Sequence, residues 1–291
     1  MLKGSYVALV TPFKNNEIDY NALEKLIDFH IENGTDGILL CGTTGESPAL
    51  AGDEKERLVR FAVKKIDGRL PVMLGTGSNN VTHTISATAR AKEWGADSAL
   101  VITPYYNKPT QNGLYLHFKA VAENTDIPIV IYNVPGRTGV NITAETTIKL
   151  AEEFKNIVAI KEASGDLVQL SKIVRDAPAG FAVLSGEDAL NYPILCCGGS
   201  GVISVTANIV PGMVHDLVEF TEKSKFTKAR ELHLKLLKLN NMMFIETNPI
   251  PVKESLHLMG LIERELRLPM CKLQDENLEI LKVVLNEYKL I

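Results

Sequence analysis

Asn156-Ile157-Val158-Ala159-Ile160-Lys161-Glu162-Ala163-Ser164 is the stretch that decides the fold, because four apolar residues lead directly into a lysine. Three of the four are β-branched, so the run predicts a buried β-strand that ends in an amine. Burial disfavours the ammonium form and lowers the pKa of a lysine by as much as about 3 to 5 pH units. A neutral amine is a nucleophile for ketones near pH 7. In the alternative interpretation, Lys161 extends into solvent and forms a salt bridge with Glu162.

The chain contains eight short apolar runs, and amphipathic helical patterns lie between them. The runs are too apolar for a half-exposed sheet, so they predict parallel strands covered by helices. Eight such units close as an α/β fold of the (β/α)8 TIM-barrel type. An open, doubly wound sheet is the alternative, but no Gly-x-Gly-x-x-Gly follows the first run. The runs span residues 6–10, 37–41, 71–74, 99–102, 129–132, 157–161, 181–184 and 201–205.

The end of the chain differs from the rest because its pattern is helical only. We expect a catalytic barrel over residues 1–224 and a C-terminal helical domain over residues 225–291, with helices near 229–244, 252–260 and 275–288. Within the barrel, Asp19, Asp53 and Thr143 are the predicted N-caps of three helices.

Composition restricts the function classes. The chain has 291 residues, 45% of them hydrophobic, a net charge of -4 and a pI near 5.9. This acidic balance argues against a nucleic-acid partner. The sequence has no run of eighteen apolar residues and begins with a strand pattern rather than a signal peptide, so we expect a cytoplasmic protein without a membrane partner.

No metal is expected from the cysteines and histidines. The cysteines form no Cys-x-x-Cys pair, and the six histidines show no ligand spacing. The cysteines are Cys41, Cys196, Cys197 and Cys271.

Polar residues follow the predicted strands at their carboxyl ends, where barrels of this type carry their active sites. Gly42-Thr43-Thr44-Gly45-Glu46-Ser47 offers backbone amides and hydroxyls that can hold a carboxylate or a phosphate, with a small carboxylate preferred, or otherwise forms only a turn. Tyr132 ends the fifth run next to the Lys161 strand and can transfer protons, or otherwise only packs its ring. Arg137, in the turn that follows, can bind a second carboxylate or remain solvated. Tyr105 and Tyr106 lie in a loop typical of a lid or an interface.

Three separated motifs of this chain resemble the pyruvate-dependent class I aldolase family. They are Gly42-Thr43-Thr44-Gly45-Glu46-Ser47, Tyr132-Asn133-Val134-Pro135-Gly136-Arg137-Thr138-Gly139 and Ile160-Lys161-Glu162-Ala163-Ser164. The likeness extends from about Gly4 to Leu268. It implies a Schiff-base lyase of lysine and diaminopimelate biosynthesis that joins pyruvate to L-aspartate 4-semialdehyde without a cofactor.

The resemblance also implies a role for each site residue. Lys161 would form an iminium with pyruvate, and Tyr132, Thr43 and Tyr106 would relay protons, with Tyr106 supplied by a second subunit. Thr44, Ile203 and Gly186 would contribute to substrate binding, and Arg137 would bind the carboxylate of the semialdehyde.

The resemblance further implies assembly as a homotetramer, built as a dimer of dimers. Some members of the family are inhibited by lysine, which binds at the dimer interface. Ser47, Asn79 and Tyr105 match that lysine site. Gly52, Lys55 and His83 stand where the histidines and the glutamate of the site are expected. Loss of those side chains weakens ammonium recognition, so we expect poor or absent inhibition by lysine.

Two alternative functions would need different subsets of these site residues. Another aldolase, such as N-acetylneuraminate lyase or a 2-keto-3-deoxy sugar acid aldolase, would share Lys161 and Tyr132, but the pair Arg137 and Tyr106 favours the semialdehyde. A noncatalytic keto-acid sensor with the same fold would have little reason to retain the amine, the tyrosines and the arginine together.

Overall fold

The barrel is the main feature of the computed structural model, which describes residues 2–291. Its strands are β1 (Gly4–Ala8), β4 (Gly37–Leu40), β5 (Val72–Gly75), β6 (Ser98–Ile102), β7 (Ile129–Asn133), β8 (Ile157–Glu162), β9 (Ala182–Ser185) and β10 (Gly201–Ser204). They close in the order β1, β10, β9, β8, β7, β6, β5, β4. A separate antiparallel hairpin consists of β2 (Phe13–Lys14) and β3 (Glu17–Ile18).

Helices alternate with the strands of the barrel and continue beyond the last strand. They are α1 (Tyr20–Glu32), α2 (Gly52–Ile66), α3 (Val81–Glu93), α4 (Gln111–Glu123), α5 (Pro135–Thr138), α6 (Ala144–Glu153), α7 (Leu167–Asp176), α8 (Asn191–Cys196), α9 (Pro211–Glu222), α10 (Phe226–Met242), α11 (Ile250–Leu258) and α12 (Asp275–Glu287). The (β/α)8 barrel and the C-terminal helices predicted from the sequence are confirmed. Each predicted run lies within two residues of an observed strand.

Two of the three predicted N-caps are confirmed. Asp19 accepts a hydrogen bond from Ala22 N at 3.0 Å, and Thr143 caps α6. The prediction for Asp53 was wrong, because α2 begins at Gly52 and the Glu54 carboxylate reaches back to Ala51 N at 2.9 Å. The longer side chain of Glu54 therefore satisfies the backbone amide at the start of this helix, and Asp53 lies in its first turn.

The chain groups into two compact units, which are not continuous in sequence. The central unit contains the residues up to Gly4 and Pro71–Ile203; the terminal unit contains Ser5–Leu70 and Ser204–Ile291. The predicted domain boundary between residues 224 and 225 stays a prediction. Among residues 2–291, no helix combines the length and the apolar character that a bilayer crossing requires.

The central unit contains β7 and β8, the adjacent parallel strands that carry Tyr132 and Lys161. All five residues of β7 are buried, and its Tyr132 is in register with Lys161 of β8. The next residue pair in the same ladder is Asn133 with Glu162. Since side chains alternate between the two faces of a strand, these two pairs point to opposite sides of the sheet.

Candidate active site

Lys161 is a buried amine at the end of β8. Only 6% of the residue is exposed, so the alternative in which it extends into solvent is wrong. Burial lowers the pKa of Lys161 from 10.5 to about 8, because the ammonium form is desolvated. This difference corresponds to about 3 kcal/mol against the charged form. A lysine in this environment supplies a reactive neutral amine at ordinary pH.

Charges of both signs act on this amine within the central unit. After burial, the largest influence on the pKa of Lys161 is the Asp188 carboxylate, which raises it, followed by the Arg137 guanidinium, which lowers it. Glu187 raises it as well. Burial in turn raises the pKa of Glu187 itself. The protonation of Lys161 therefore depends on the loops after β7 and β9.

Glu162 does not neutralise Lys161, contrary to the alternative interpretation of the sequence. Its carboxylate lies on the opposite face of the strand and accepts hydrogen bonds from Asn133 Nδ2 at 3.1 Å and from Gln169 Nε2 at 3.0 Å. Ser164 N donates to it at 2.7 Å. Asn141 joins the same cluster through Asn133. These amide donors satisfy a buried anion and connect the ends of β7 and β8.

Sequence analysis missed this amide cluster. Asn133 lies in β7, Gln169 lies in α7 and Asn141 lies between α5 and α6, and only the hydrogen bonds that join them around Glu162 reveal a role. The single available signal was the acidic residue at a position expected to be buried.

Tyr132 lies beside the amine, as predicted. The Nζ of Lys161 is 4.4 Å from the centroid of the Tyr132 ring, and the tyrosine is 7% exposed. The aromatic face stabilises a cation at this distance, so it offsets part of the cost of charging the lysine.

Gly186 makes room for the lysine side chain. A Cβ at this position would lie 2.8 Å from the Ala163 Cβ and 2.9 Å from the Lys161 Cε. The Gly186 amide also donates to the Glu162 carbonyl at 2.8 Å, which continues the ladder between β8 and β9. Ile203 is buried in β10, whose neighbouring residue Val202 is in register with Ser185.

Arg137 and Tyr106 are exposed residues of the central unit. Arg137 lies in the short helix α5 after β7, and its positive charge lowers the pKa of Lys161. Tyr106 has a left-handed backbone with φ of 73° and is 87% exposed in the single chain. Positive φ is uncommon for a residue with a bulky side chain. A strained backbone that presents an aromatic ring to solvent is typical of a functional contact.

Thr43 and Thr44 lie in the loop after β4, in the terminal unit. Thr44 is 2% exposed, and its hydroxyl accepts a hydrogen bond from Asn248 Nδ2 at 3.0 Å. The Thr43 carbonyl accepts from Glu46 N at 3.1 Å, which closes the loop as a tight turn. The backbone and hydroxyl groups needed to hold a small carboxylate are therefore present here.

Comparison with known proteins decides the family. The family described as "Dihydrodipicolinate synthetase family" matches residues 1–288. The chain belongs to this family.

Its relatives match over the whole length. The 4-hydroxy-tetrahydrodipicolinate synthase of Aquifex aeolicus (strain VF5) is 51% identical over 100% of this chain and 99% of its own. The crystal structure of dihydrodipicolinate synthase from Aquifex aeolicus superposes with a TM-score of 0.98 at 51% identity, over 99% of both chains. The chloride-inhibited dihydrodipicolinate synthase of Acinetobacter baumannii, complexed with pyruvate, superposes with a TM-score of 0.97 at 42% identity and covers 100% of both chains.

Membership of the dihydrodipicolinate synthetase family confirms the family and the enzyme class predicted from the sequence. For a member of this family, a buried lysine with a lowered pKa is the expected chemical centre of a class I aldolase. Across residues 2–291, no group of three or more His, Cys, Asp or Glu side chains is arranged to hold a metal ion.

The pH dependence of imine formation follows from the pKa of Lys161. Only the neutral amine attacks a ketone, so the rate should rise with pH and level off above a midpoint near the pKa of about 8. About a tenth of the amine is then neutral at pH 7. We expect Asp188→Asn to move the midpoint to lower pH, because the carboxylate raises the pKa of Lys161. Initial rates of borohydride trapping with pyruvate between pH 6 and 10 measure both midpoints.

A midpoint that remained above pH 10, or one that Asp188→Asn moved upward, would contradict this account. Glu145→Gln is a control, because this exposed carboxylate on α6 is absent from the groups that act on Lys161. It should leave the midpoint unchanged.

Proposed function

We propose that this chain condenses pyruvate with L-aspartate 4-semialdehyde to give 4-hydroxy-tetrahydrodipicolinate, a step of lysine and diaminopimelate biosynthesis. The relatives matched over the full chain are named 4-hydroxy-tetrahydrodipicolinate synthase, which confirms the function predicted from the sequence. The observation in this chain that carries the proposal is the buried amine of Lys161 beside the ring of Tyr132.

Lys161 is the nucleophile in this proposal. Its neutral amine adds to the pyruvate ketone and forms a carbinolamine, which loses water to give an iminium. The iminium accepts electrons, so the former methyl group of pyruvate loses a proton and the iminium becomes an enamine. The enamine carbon attacks the aldehyde carbon of the semialdehyde, the aldehyde oxygen takes up a proton and becomes a hydroxyl, and the iminium forms again. The amine of the semialdehyde then attacks the iminium carbon, closes the ring and releases Lys161.

Tyr132, Thr43 and Tyr106 are assigned the proton transfers of this sequence. Each carries a hydroxyl that can donate and accept a proton, and the Tyr132 ring is in contact with the amine. The exposure of Tyr106 supports the assignment to a neighbouring subunit, since an aromatic side chain that is 87% exposed gains from burial against a second copy.

Pyruvate carries one carboxylate, which we assign to the loop at Thr44. The Thr44 hydroxyl accepts a hydrogen bond from Asn248, so its own proton can be donated to a carboxylate oxygen. Ile203 and Gly186, near the ends of β10 and β9, are also assigned to substrate binding through their backbone groups.

Arg137 is assigned to the carboxylate of the semialdehyde, because guanidinium and carboxylate groups form paired hydrogen bonds. Arg137→Ala should leave pyruvate trapping at Lys161 within about threefold of the wild type and raise the KM for the semialdehyde about tenfold or more. Steady-state kinetics in each substrate, together with trapping yields, measure the two effects. Equal loss of both steps would refute this role.

Assembly and location complete the proposal. A homotetramer built as a dimer of dimers would bring Tyr106 of one copy to the site of another. All four cysteines are free, as is usual in a reducing compartment, which supports a cytoplasmic location.

The test of the function combines trapping with an aldehyde panel. Borohydride reduction with pyruvate should add the mass of a reduced pyruvate adduct to the peptide that contains Lys161. Among aldehydes, L-aspartate 4-semialdehyde should be consumed fastest. Failure to label Lys161 would favour a keto-acid sensor. Preference for N-acetylmannosamine or a sugar aldehyde would favour one of the other aldolases.

A further inference from the structure

The loop that contains Thr43 and Thr44 is fixed by contacts to distant parts of the terminal unit. The Thr11 hydroxyl donates to the Gly45 carbonyl at 2.8 Å. Gly45 itself lies so close to the barrel that a Cβ there would be 3.1 Å from the Leu9 carbonyl oxygen. The loop is therefore packed closely against the segment that follows β1.

Glu46, in this loop, has a conformation that requires support. Its φ is 50°, a left-handed value that few residues other than glycine adopt, and it is 4% exposed. Both carboxylate oxygens are engaged by the C-terminal part of the chain. Oε1 accepts from Lys253 Nζ at 2.6 Å, and Oε2 accepts from Arg267 N at 3.0 Å.

Lys253, the partner in α11, is as deeply buried as Glu46. It is 2% exposed, and its Nζ lies 4.3 Å from the centroid of the Phe13 ring. Burial lowers the pKa of Lys253, while the Glu46 carboxylate opposes this effect. A buried ion pair contributes little net stability, because the desolvation of both charges offsets their attraction. Stability alone therefore does not account for the pair.

A second contact joins the same C-terminal segment to the carboxylate-binding group. Asn248 Nδ2 donates to the Thr44 hydroxyl at 3.0 Å. Asn248 precedes Lys253 by five residues. One short segment of the chain therefore contacts both the Thr44 hydroxyl and the Glu46 carboxylate.

We propose that the ion pair between Lys253 and Glu46 is a positioning device that holds the Thr43–Thr44 loop in the geometry that binds the keto-acid carboxylate. This inference rests on the proposed function, because it takes Thr44 as the group that binds pyruvate. The C-terminal helices then determine the affinity for pyruvate, through α11, without contacting the substrate.

The test separates positioning from stability with two single variants and their combination. Lys253→Met and Glu46→Gln each leave one buried charge without its partner, so both should lower the melting temperature. The double variant removes both charges and should recover most of that loss. Positioning predicts that the KM for pyruvate rises about tenfold or more in all three, while kcat changes by less than about threefold.

The matched control lies in the same helical region. Lys238 of α10 forms an exposed ion pair with Glu287 of α12. Lys238→Met removes an ion pair without touching the loop, and should leave the KM for pyruvate and the melting temperature unchanged.

The outcomes are distinct. A double variant whose KM for pyruvate returns to the wild-type value together with its melting temperature would show a purely structural pair and overturn the proposal. An unchanged KM in all three variants would overturn it as well. Borohydride trapping on the wild-type protein distinguishes failure of the positioning role from failure of the proposed function. If Lys161 of the wild type labels normally, only the positioning role has failed; if it does not label, the proposed function falls, and this inference falls with it.

Discussion

Lys161→Ala should abolish the trapped pyruvate adduct and reduce kcat/KM for condensation by about 10⁴-fold or more. No other side chain at the end of β8 can form the iminium, since the neighbouring Glu162 carries a carboxylate rather than an amine and accepts hydrogen bonds from amide donors. The substitution also removes a buried group that is costly to charge, so the variant should fold with a melting temperature near that of the wild type. Mass mapping after borohydride reduction, together with steady-state kinetics, gives both results.

The control is a lysine close to Lys161 in the sequence that is exposed rather than buried. Lys155, shortly before β8, is exposed, and Lys155→Ala should retain the adduct and the activity. Survival of a stoichiometric adduct in Lys161→Ala would move the nucleophile to another residue and remove the basis of the proposed chemistry.

Tyr132→Phe is expected to have the second largest effect. The substitution retains the ring that lies 4.4 Å from the Lys161 amine and removes only the hydroxyl. If that hydroxyl transfers protons to and from the carbinolamine, kcat should fall by about 10²- to 10³-fold, with the KM for pyruvate changed far less. The trapped adduct should still form, but more slowly. Stopped-flow trapping and steady-state rates measure the two effects separately.

Tyr115→Phe is the matched control for loss of a tyrosine hydroxyl. The Tyr115 hydroxyl donates to Glu153 at 2.6 Å on the protein surface, so its removal should leave kcat unchanged. If Tyr132→Phe lowered kcat by less than about threefold, the ring would serve only to pack against the amine and the proton transfer would have to be assigned elsewhere.

Most of the barrel could be predicted from the sequence because its signals are local. Apolar runs long enough for one strand, separated by helical patterns, identify a parallel sheet covered by helices before any contact between strands is known. Lys161 could be predicted in the same way, since a charged residue directly after a run of apolar residues is a local signal in the sequence. The hairpin of β2 and β3 was missed because two-residue strands are too short to show a period.

The tertiary structure decided how the polar groups are distributed around this frame. The sequence placed Glu162 next to Lys161, yet the alternation of a strand turns it to the opposite face, where amides from other elements receive it. Glu46 and Lys253 are 207 residues apart, and no local pattern connects them. Composition and periodicity therefore determined the barrel and the position of its buried lysine, because these depend on neighbours along the chain. The partners of each buried charge depend on residues that only folding brings together.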